Sequence, residues 1–363
     1  MPPNPEPAAP PKWAFRGDNL KHDLAGLPPP PPWRQTAPDA QRELASKFYV
    51  PEGSKIVEMV NAALLLRRPL LVTGKPGTGK STLAAAVAEE LGLGDPLVWS
   101  ITTKTTLESG LYQYDAIARL NAATLLRQRR ELERARAGEG GPGAAAQHEQ
   151  EEADVLDVGR YLRLGPLGTA MLPAGEELPP GGRVAGGPRV LLIDEIDKSD
   201  IDLPNDLLHV FERCRFEIPE LARLPDKHKA ARVWTADRGR KARVERGEVV
   251  CDQIPLVIMT SNGERDFPPA FLRRCLRLDL KQPTEAELLA IVRARFDPAT
   301  ADSQEVRALV AHYYGLREGS PAAPRQRELA VDQLLNAVRL LQLGVDLEPI
   351  ENELFRSLTE QAQ

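Results

Sequence analysis

The segment "GKPGTGKS" (residues 74–81) constrains the fold of this chain more than any other part of its sequence. It follows the short apolar run "PLLVTG" (69–74) and opens "STLAAAVAEELGLG" (81–94), an alanine-rich stretch with helical character. The segment matches G-x-x-x-x-G-K-[ST] at every fixed position, and this pattern requires a strand before it and a helix after it. The sequence therefore predicts a strand, a tight glycine loop and a helix in direct succession.

This loop has the residues of a phosphate cradle. The three glycines allow the backbone to wrap tightly with its N–H groups turned inward, and the helix that begins near Lys80 adds the positive end of its dipole. Lys80 is predicted to reach the β- and γ-phosphates of a nucleotide, and the Ser81 hydroxyl is predicted to bind Mg²⁺. The predicted nucleotide-binding residues of the loop are Gly74, Lys75, Pro76, Gly77, Thr78, Gly79, Lys80, Ser81 and Thr82.

A second motif supplies carboxylates. The segment "VLLIDEID" (190–197) is an apolar strand that ends in acidic residues. Strand geometry sends Asp194 and Glu195 to different sides of the chain. We expect Asp194 to hold the Mg²⁺ shell and Glu195 to polarise a water molecule aimed at the γ-phosphate of ATP. The adjacent glutamate favours ATP hydrolysis over kinase or GTPase chemistry. Asp197 and Asp200 are interpreted as turn residues or as charges at the rim.

Two further segments place polar residues next to predicted strands. Asn262 ends "PLVIMTSN" (255–262), and the carboxyl end of a parallel strand is where such sheets bind ligands. Its amide either orients the attacking water or forms a turn. Arg273 and Arg274, in "FPPAFLRRCLRLDL" (267–280), precede the last predicted strand. They either meet a negative charge from elsewhere or form structural ion pairs at the surface.

The order of the predicted elements gives the fold class. Continuously apolar strands separated by helices predict an α/β fold, with a doubly wound parallel sheet of the P-loop NTPase kind covered on both faces. The capping box "TEAE" (284–287) opens the first of several helices that continue to the end of the chain. We therefore expect a proline-rich flexible arm (1–45), an α/β nucleotide-binding domain (46–282) and a small all-helical domain (283–363).

Two segments of unusual composition lie outside this core. Residues 1–45 contain 12 of the 33 prolines and are predicted to be extended and mostly mobile. The segment "GEGGPGAAAQHEQEEA" (138–153) is acidic and of low complexity, which predicts a flexible insertion.

A basic hairpin is predicted at residues 223–250. Residues 223–246 contain nine lysines and arginines against three acidic residues. The alternating segment "ARVWTADRGRKARVERG" (231–247) turns at "DRG", which is typical of a β-hairpin. This hairpin either engages an acidic partner or nucleic acid, or is a solvated charged surface.

Charge and cysteine content restrict the class of protein. The formal net charge of −5 gives no global basic field of the kind that marks nucleic-acid binders. Cys214, Cys251 and Cys275 have no metal-binding spacing, which fits packed thiols in a reducing compartment. No apolar run approaches the ~18 residues that a membrane span needs. We therefore expect a cytoplasmic protein that does not associate with a membrane.

Taken together, these motifs resemble those of the AAA+ ATPases, and within that group those of the MoxR type. The segments "GKPGTGKST", "LLIDEID", "IMTSN" and "FLRRC" occur in the order of that family. The segment "LRLGPLGTAML" (162–172) resembles the Gly-Pro-containing insert of the MoxR group, and "LPNDLLHVFER" (203–213) resembles the helix after the acidic strand. The resemblance covers roughly residues 46–345. The acidic insertion and the proline-rich arm are not part of the family core.

The resemblance implies a sheet of strand order 5-1-4-3-2, a helical lid and a homo-oligomeric ring, often hexameric, with ATP and Mg²⁺ bound at subunit interfaces. Arg274 matches best the arginine that reaches the γ-phosphate of the neighbouring subunit, and Arg273 supports it or pairs with an acidic neighbour. Arg325 and Arg327 both fit the sensor-2 arginine of the lid, which contacts the nucleotide. The resemblance also implies chaperone-like remodelling of a protein partner, commonly one with a von Willebrand A domain.

Two other functions stay open at this point. The chain could be a nucleic-acid-associated motor that uses the basic hairpin, or a nucleotide-gated assembly scaffold with little turnover. The overall acidity weighs against the motor. The complete set of Lys80, Glu195 and Arg274 weighs against the scaffold.

Overall fold

The computed structural model describes residues 27–35, 37–135, 157–173, 187–225, 230–319 and 326–357, together with residues 15, 17, 19–21 and 24. The predicted acidic insertion at 138–153 lies outside these ranges. Within them, no helix is long and apolar enough to cross a membrane.

The backbone forms two compact units. The first, here called the lid unit, draws on residues 1–55, 74–86 and 279–363. The second, here called the sheet unit, draws on residues 56–73 and 87–278.

The strands, numbered along the chain, are β1 (Leu70–Thr73), β2 (Leu97–Ser100), β3 (Tyr112–Tyr114), β4 (Leu162–Leu164), β5 (Val190–Asp194), β6 (Arg215–Glu217), β7 (Ala230–Trp234), β8 (Lys241–Glu245), β9 (Glu248–Val250), β10 (Leu256–Ser261) and β11 (Leu276–Asp279).

The α-helices are α1 (Pro38–Ser46), α2 (Ile56–Leu66), α3 (Lys80–Glu90), α4 (Leu107–Leu111), α5 (Ala116–Ala135), α6 (Pro166–Ala170), α7 (Leu203–Arg213), α8 (Pro219–Ala222), α9 (Pro269–Arg274), α10 (Glu285–Arg295), α11 (Pro298–Ala301), α12 (Gln304–Glu318), α13 (Val331–Gln342) and α14 (Glu351–Leu354).

The central sheet has the strand order β11-β1-β10-β5-β2. This is the predicted order 5-1-4-3-2. The pairs β1–β10, β10–β5 and β5–β2 are parallel. All six residues of β10 are buried, as are the first four of β5, because both faces of the sheet are covered. The predicted α/β class is therefore confirmed.

A second sheet was predicted only in part. It has six strands in the order β3-β4-β7-β8-β9-β6. The predicted hairpin is its centre, since β7 and β8 pair as antiparallel strands. The other strands are only three residues long, and three of them, β3, β4 and β6, lie outside the hairpin in the sequence. Segments that short carry no detectable alternation of polar and apolar residues, so sequence reasoning missed them.

One hydrophobic core joins the two sheets within the sheet unit. It contains Leu71, Ile193 and Met259 from the central sheet, together with Val233 and Val244 from the second sheet.

The Gly-Pro-containing insert contributes β4 and α6 to the sheet unit. A side chain at Gly168 would place its Cβ 2.0 Å from the carbonyl oxygen of Leu111. Only glycine therefore fits where α6 crosses the end of α4.

The lid unit has a helical core of its own, as predicted. Buried residues from α10, α12 and α13 form it, among them Leu288, Tyr313 and Leu334. The predicted capping box is confirmed, since the Thr284 side chain accepts a hydrogen bond from the Glu287 N–H and the Glu287 side chain accepts one from the Thr284 N–H.

The described part of the proline-rich arm differs from the prediction of an extended chain. Residues Pro38–Ser46 form helix α1, because Pro38 occupies its first position and no proline follows within it. Trp33 is half-buried against the helical core of the lid unit. Its Nε1 donates to Asn336 Oδ1 (2.9 Å), and its ring lies edge-on to Phe296 with the centroids 5.8 Å apart.

Candidate nucleotide-binding site

The phosphate loop (residues 74–81) connects β1 to α3, as predicted. Gly74, Gly77 and Gly79 have φ angles of 147°, 77° and 87°, which side-chain-bearing residues rarely adopt. Space also requires glycine at two of these positions. A Cβ at Gly74 would lie 2.5 Å from the carbonyl oxygen of Leu280, and one at Gly77 would lie 2.6 Å from the Cβ of Ala330.

Lys80 is the first residue of α3 and is buried, with 7% of its surface exposed. Its ammonium donates to the carbonyl oxygens of Gly74 (2.7 Å) and Lys75 (2.9 Å), both within the loop. The Thr78 hydroxyl donates to the Lys75 carbonyl as well (2.9 Å). The Lys80 ammonium therefore lies against the backbone of the loop, at the N-terminal end of α3. A bound anion is favoured at that position.

The loop lies against the residues that precede α13 in the lid unit. Lys75 Nζ forms an ion pair with Glu328 Oε1 at 3.4 Å. The sequence analysis did not single out Glu328. Its neighbour Arg327 donates from Nη1 to the carbonyl oxygen of Phe355 at 3.1 Å, so its guanidinium is engaged within the lid unit. Arg325, the other sensor-2 candidate, lies outside the described residues.

The acidic turn (residues 194–198) follows β5. Asp194 Oδ1 accepts a hydrogen bond from the Thr260 hydroxyl (2.6 Å), and that hydroxyl accepts one from the Glu195 N–H (2.8 Å). Thr260 belongs to β10, where the register places it beside Asp194. The sequence analysis missed Thr260, although the parallel pairing of two strands that end in "LLID" and "IMTSN" would have found it.

Glu195 has an unusual backbone conformation, with φ of 60°. A non-glycine residue in this left-handed region costs ~1–2 kcal/mol and is enriched at functional sites. The Glu195 carboxylate lies 2.7 Å from Lys198 Nζ, and each side chain is about 40% exposed. The hydrogen bond from Lys198 to Glu195 raises the pKa of Lys198. The predicted general base is therefore held by a cation from its own turn.

The interpretation of Asp197 is corrected in part by the structure. It was interpreted as a turn residue or a rim charge; it does lie in a short turn, but it is not a rim charge, because only 2% of its surface is exposed. The short 3-10 turn Ile196–Lys198 directs its side chain inward. Its Oδ2 accepts hydrogen bonds from the N–H groups of Asn262 (2.8 Å) and Glu264 (3.1 Å). In the part of the chain that is described, its Oδ1 is buried without a hydrogen-bond partner. Asp200, by contrast, is an exposed turn residue, as predicted.

Asn262 follows β10 directly, so the loop after β10 begins at the predicted position. Its backbone N–H is fixed by Asp197, and its side chain is half-buried. A second bond joins the same two segments, from Arg265 Nη1 to the Ser199 carbonyl (3.0 Å). The segments that follow β5 and β10 are thus tied together at the carboxyl edge of the central sheet.

Arg273 and Arg274 occupy the last turn of α9, immediately before β11. Arg274 Nε donates to Glu212 Oε1 on α7 at 2.5 Å, and both side chains are about half exposed. Arg273 is exposed, and its Nε makes a long hydrogen bond of 3.4 Å to the Pro269 carbonyl. Arg68 donates to the carbonyl oxygens of both residues, which fixes the end of the helix. Within a single chain, Arg274 therefore has a carboxylate partner.

The strand order, the phosphate loop and the Asp194–Glu195 pair define the class of protein. A glycine loop with a buried lysine leaves the end of β1, and an Asp-Glu pair leaves the end of β5 two strands away. Parallel strands with these motifs at one edge are those of a P-loop NTPase with the AAA+ strand order.

Comparison with known proteins agrees. The family model of the AAA domain (dynein-related subfamily) matches residues 69–275, more than half of the 363 residues, and the chain belongs to this family. No curated protein matches the chain.

Among solved structures, the chain is similar to NtrX from Brucella abortus in a crystal structure with ATP, at 14% identity and a TM-score of 0.35. The match covers 85% of this chain and 57% of that one.

Proposed function

We propose that this protein binds and hydrolyses ATP with Mg²⁺, as an AAA+ ATPase of the MoxR type. One observation carries the proposal: Thr73, the last residue before the phosphate loop, and Asp194 end parallel strands that flank β10 in one sheet. Neighbouring strands are about 4.8 Å apart, so these two strand ends lie roughly 10 Å apart at the same edge. That separation suits a loop that cradles phosphates and a carboxylate pair that acts on the terminal phosphate.

Each residue of the loop has a defined task in binding. The N–H groups of the phosphate loop and the first turn of α3 donate to phosphate oxygens, and the Lys80 ammonium neutralises charge on the β- and γ-phosphates. Lys80 exchanges its two carbonyl acceptors for phosphate oxygens, which bind it more strongly because they are charged.

The magnesium ion fits the donor set. The Ser81 hydroxyl and the Asp194 carboxylate would hold it, since Mg²⁺ prefers hard oxygen ligands and one or two carboxylates. When bound, the ion draws negative charge away from the phosphates. The Thr260 hydroxyl keeps Asp194 in its orientation by donating to Oδ1.

Glu195 acts as the general base in this proposal. Its carboxylate accepts a proton from the water that attacks the γ-phosphate. In the structure it faces Lys198 instead, so hydrolysis requires Glu195 to exchange the Lys198 ammonium for that water. A pair this exposed is weak, on the order of 0.2–1 kcal/mol, so the exchange is readily available. Asn262 lies at the same sheet edge, and its side-chain amide orients the water.

The assembly and partner follow from the resemblance to the MoxR type. In this proposal the chain forms a homo-oligomeric ring, most simply a hexamer, and Arg274 or Arg273 reaches the γ-phosphate held by the neighbouring subunit. The turnover remodels a protein partner, of which one with a von Willebrand A domain is the first to test. The support for the subgroup is the sequence resemblance of the Gly-Pro-containing insert, which forms β4 and α6 in the sheet unit.

The proposal is tested by phosphate release from the purified full chain. ATP with Mg²⁺ is expected to give steady turnover, which EDTA abolishes. Stimulation by DNA or RNA instead of by a protein partner would support the motor. Tight ATP binding without turnover, in assembled protein, would support the scaffold.

A further inference from the structure

We propose that the outward face of the second sheet binds a short acidic segment of a protein partner. The residues that form this surface, here called the cationic face, are Arg163, Arg232, Trp234, Lys241 and Arg243. The inference rests on the proposed function only in that the occupant is a protein, and it is tested without ATP turnover.

Strand register places these residues side by side. Arg232 lies opposite Arg243 and Trp234 lies opposite Lys241 in the β7–β8 pair, and Arg163 of β4 lies beside Trp234. Alternate residues point to opposite sides of a strand. The neighbours Val233 and Val244 are buried in the core of the sheet unit, so the cationic residues face outward. The arginines of the set are exposed.

The arrangement is unfavourable for the fold alone. Like charges directly opposite on paired strands are destabilising, and Arg232 and Arg243 form such a pair. Arg243 has an exposed carboxylate neighbour, Glu245 at 3.1 Å. In the ranges the structure describes, Arg163 and Arg232 form no ion pair. Carboxylates from a ligand would remove this repulsion.

Lys241 adds an aromatic element to the face. Its ammonium lies 4.3 Å from the centroid of the Trp234 ring, and Trp234 is half-buried. This contact holds the ammonium in place and leaves its remaining N–H groups as donors. The indole also gives the apolar part of a bound segment a surface to pack against.

The face is a rigid platform because the turn of the hairpin is anchored. Arg189 directly precedes β5. It forms a two-bond ion pair with Asp237 of the turn (2.9 and 3.0 Å), and both side chains are nearly buried. The Ala236 N–H donates to the Thr169 hydroxyl at 2.9 Å. The sequence analysis considered that the hairpin engages an acidic partner or nucleic acid, and Arg232, Lys241 and Arg243 lie on its two strands.

Charge elsewhere on the sheet favours an acidic peptide over other occupants. Glu245, Glu248 and Glu217 lie in register on the same outward side. They would repel a nucleic-acid strand, whose negative charge is continuous. Two of them already have cationic neighbours on this side of the sheet, since Glu245 pairs with Arg243 and Glu248 lies 4.0 Å from Arg215. The excess is therefore positive, which argues against a second copy of the same face.

The spacing suits an extended segment. Lys241 and Arg243 are two residues apart on β8, a separation of about 6.8 Å. Carboxylates at alternate positions of an extended peptide have the same spacing. A segment with two acidic residues at alternate positions therefore matches these two cations without reaching Glu245.

The experiment measures fluorescence anisotropy of a labelled nonapeptide with glutamate at alternate positions, titrated with the full chain without nucleotide. The variant Arg163→Gln/Arg232→Gln removes two charges that have no ion pair to lose. It is expected to bind the peptide about tenfold more weakly, with an unchanged or higher melting temperature. The control Arg215→Gln, on the same side of the same sheet, is expected to stay within about twofold of the parent.

The inference is overturned if the parent chain binds no peptide at low salt, if the double variant binds as well as the parent, or if a labelled single-stranded oligonucleotide binds more tightly than the peptide. A smaller oligomer in the double variant, without peptide, would assign the face to a second copy and also overturn it. Peptide binding by a chain that lacks ATPase activity would retain the inference and refute only the proposed function.

Discussion

The Oδ2 atom of Asp197 lies 2.8 Å from the backbone nitrogen of Asn262 and accepts its hydrogen bond. This bond joins the segment after β5, which contains the proposed base, to the segment after β10, which contains the proposed water-orienting amide. The same oxygen also accepts from the Glu264 N–H at 3.1 Å. Because Asp197 is buried and both of its accepted hydrogen bonds come from the backbone that follows β10, we infer that it positions Asn262.

The first prediction concerns this positioning role. Asp197→Ala leaves two N–H groups without their charged acceptor, and hydrogen bonds to charged groups are worth about 1.5–3 kcal/mol. We expect kcat for ATP to fall at least about tenfold while KM stays within about threefold, because the phosphate loop is untouched. Asp197→Asn retains one carbonyl acceptor and is expected to recover most of kcat.

The matched control is Asp200→Ala, which removes an exposed carboxylate from the same turn region. It is expected to leave kcat and the melting temperature unchanged. Equal losses of kcat in Asp197→Ala and Asp197→Asn, or a rise in KM alone, would show that Asp197 does not act by positioning Asn262.

A second prediction concerns the Glu195–Lys198 pair. Lys198→Met removes the ammonium that faces the proposed base but keeps the length of the side chain. Because an exposed pair of this kind is worth about 0.2–1 kcal/mol, we expect basal hydrolysis to rise by no more than about fivefold. Steady-state phosphate release measures this, with Lys104→Met at an exposed site as the control. A loss of activity in Lys198→Met would mean that the lysine assists the reaction instead of restraining Glu195.

A third prediction concerns the arginines of α9. If Arg274 acts on the neighbouring subunit, it must leave Glu212, and each active site needs two chains. Lys80→Ala and Arg274→Ala subunits are each expected to be nearly inactive. Mixed in equal amounts, they form complete sites at about a quarter of the interfaces of a ring, by counting on paired neighbours, so hydrolysis is expected to recover.

The contradicting result is a mixture that stays inactive although the two variants demonstrably co-assemble. The same mixing with Arg273→Ala then decides which arginine acts. Arg273 makes no ion pair within the described structure, so it is the alternative. Failure of both mixtures would leave the two arginines as structural residues, with Arg274 held by Glu212.

The sequence predicted the central fold well, because its strands are continuously apolar and end in recognisable motifs. The phosphate loop and the acidic turn follow from such local signals, whereas the strand order was implied by the resemblance to the AAA+ ATPases. The second sheet was largely missed, because β3, β4 and β6 are three residues each and pair across distant parts of the chain.

The sequence analysis also failed to predict which side chains contact one another at the candidate site. Thr260, Asp197 and Lys198 gained roles only from the register of β5 with β10 and from the 3-10 turn after β5. Asp197 was interpreted as a turn residue or a rim charge, and aspartate is mostly exposed in proteins. No local pattern indicates that a backbone turn will bury such a carboxylate under two N–H donors.

The most direct test of the central claim compares ATP binding and turnover in two variants. Lys80→Ala is expected to lose binding of a labelled ATP analogue, because the ammonium supplies the main fixed charge on the phosphates. Glu195→Gln is expected to keep that binding and to release phosphate at least about 10²-fold more slowly, since an amide cannot accept the proton from water. Undiminished binding by Lys80→Ala, or turnover by Glu195→Gln within about threefold of the parent, would contradict the proposed ATPase site.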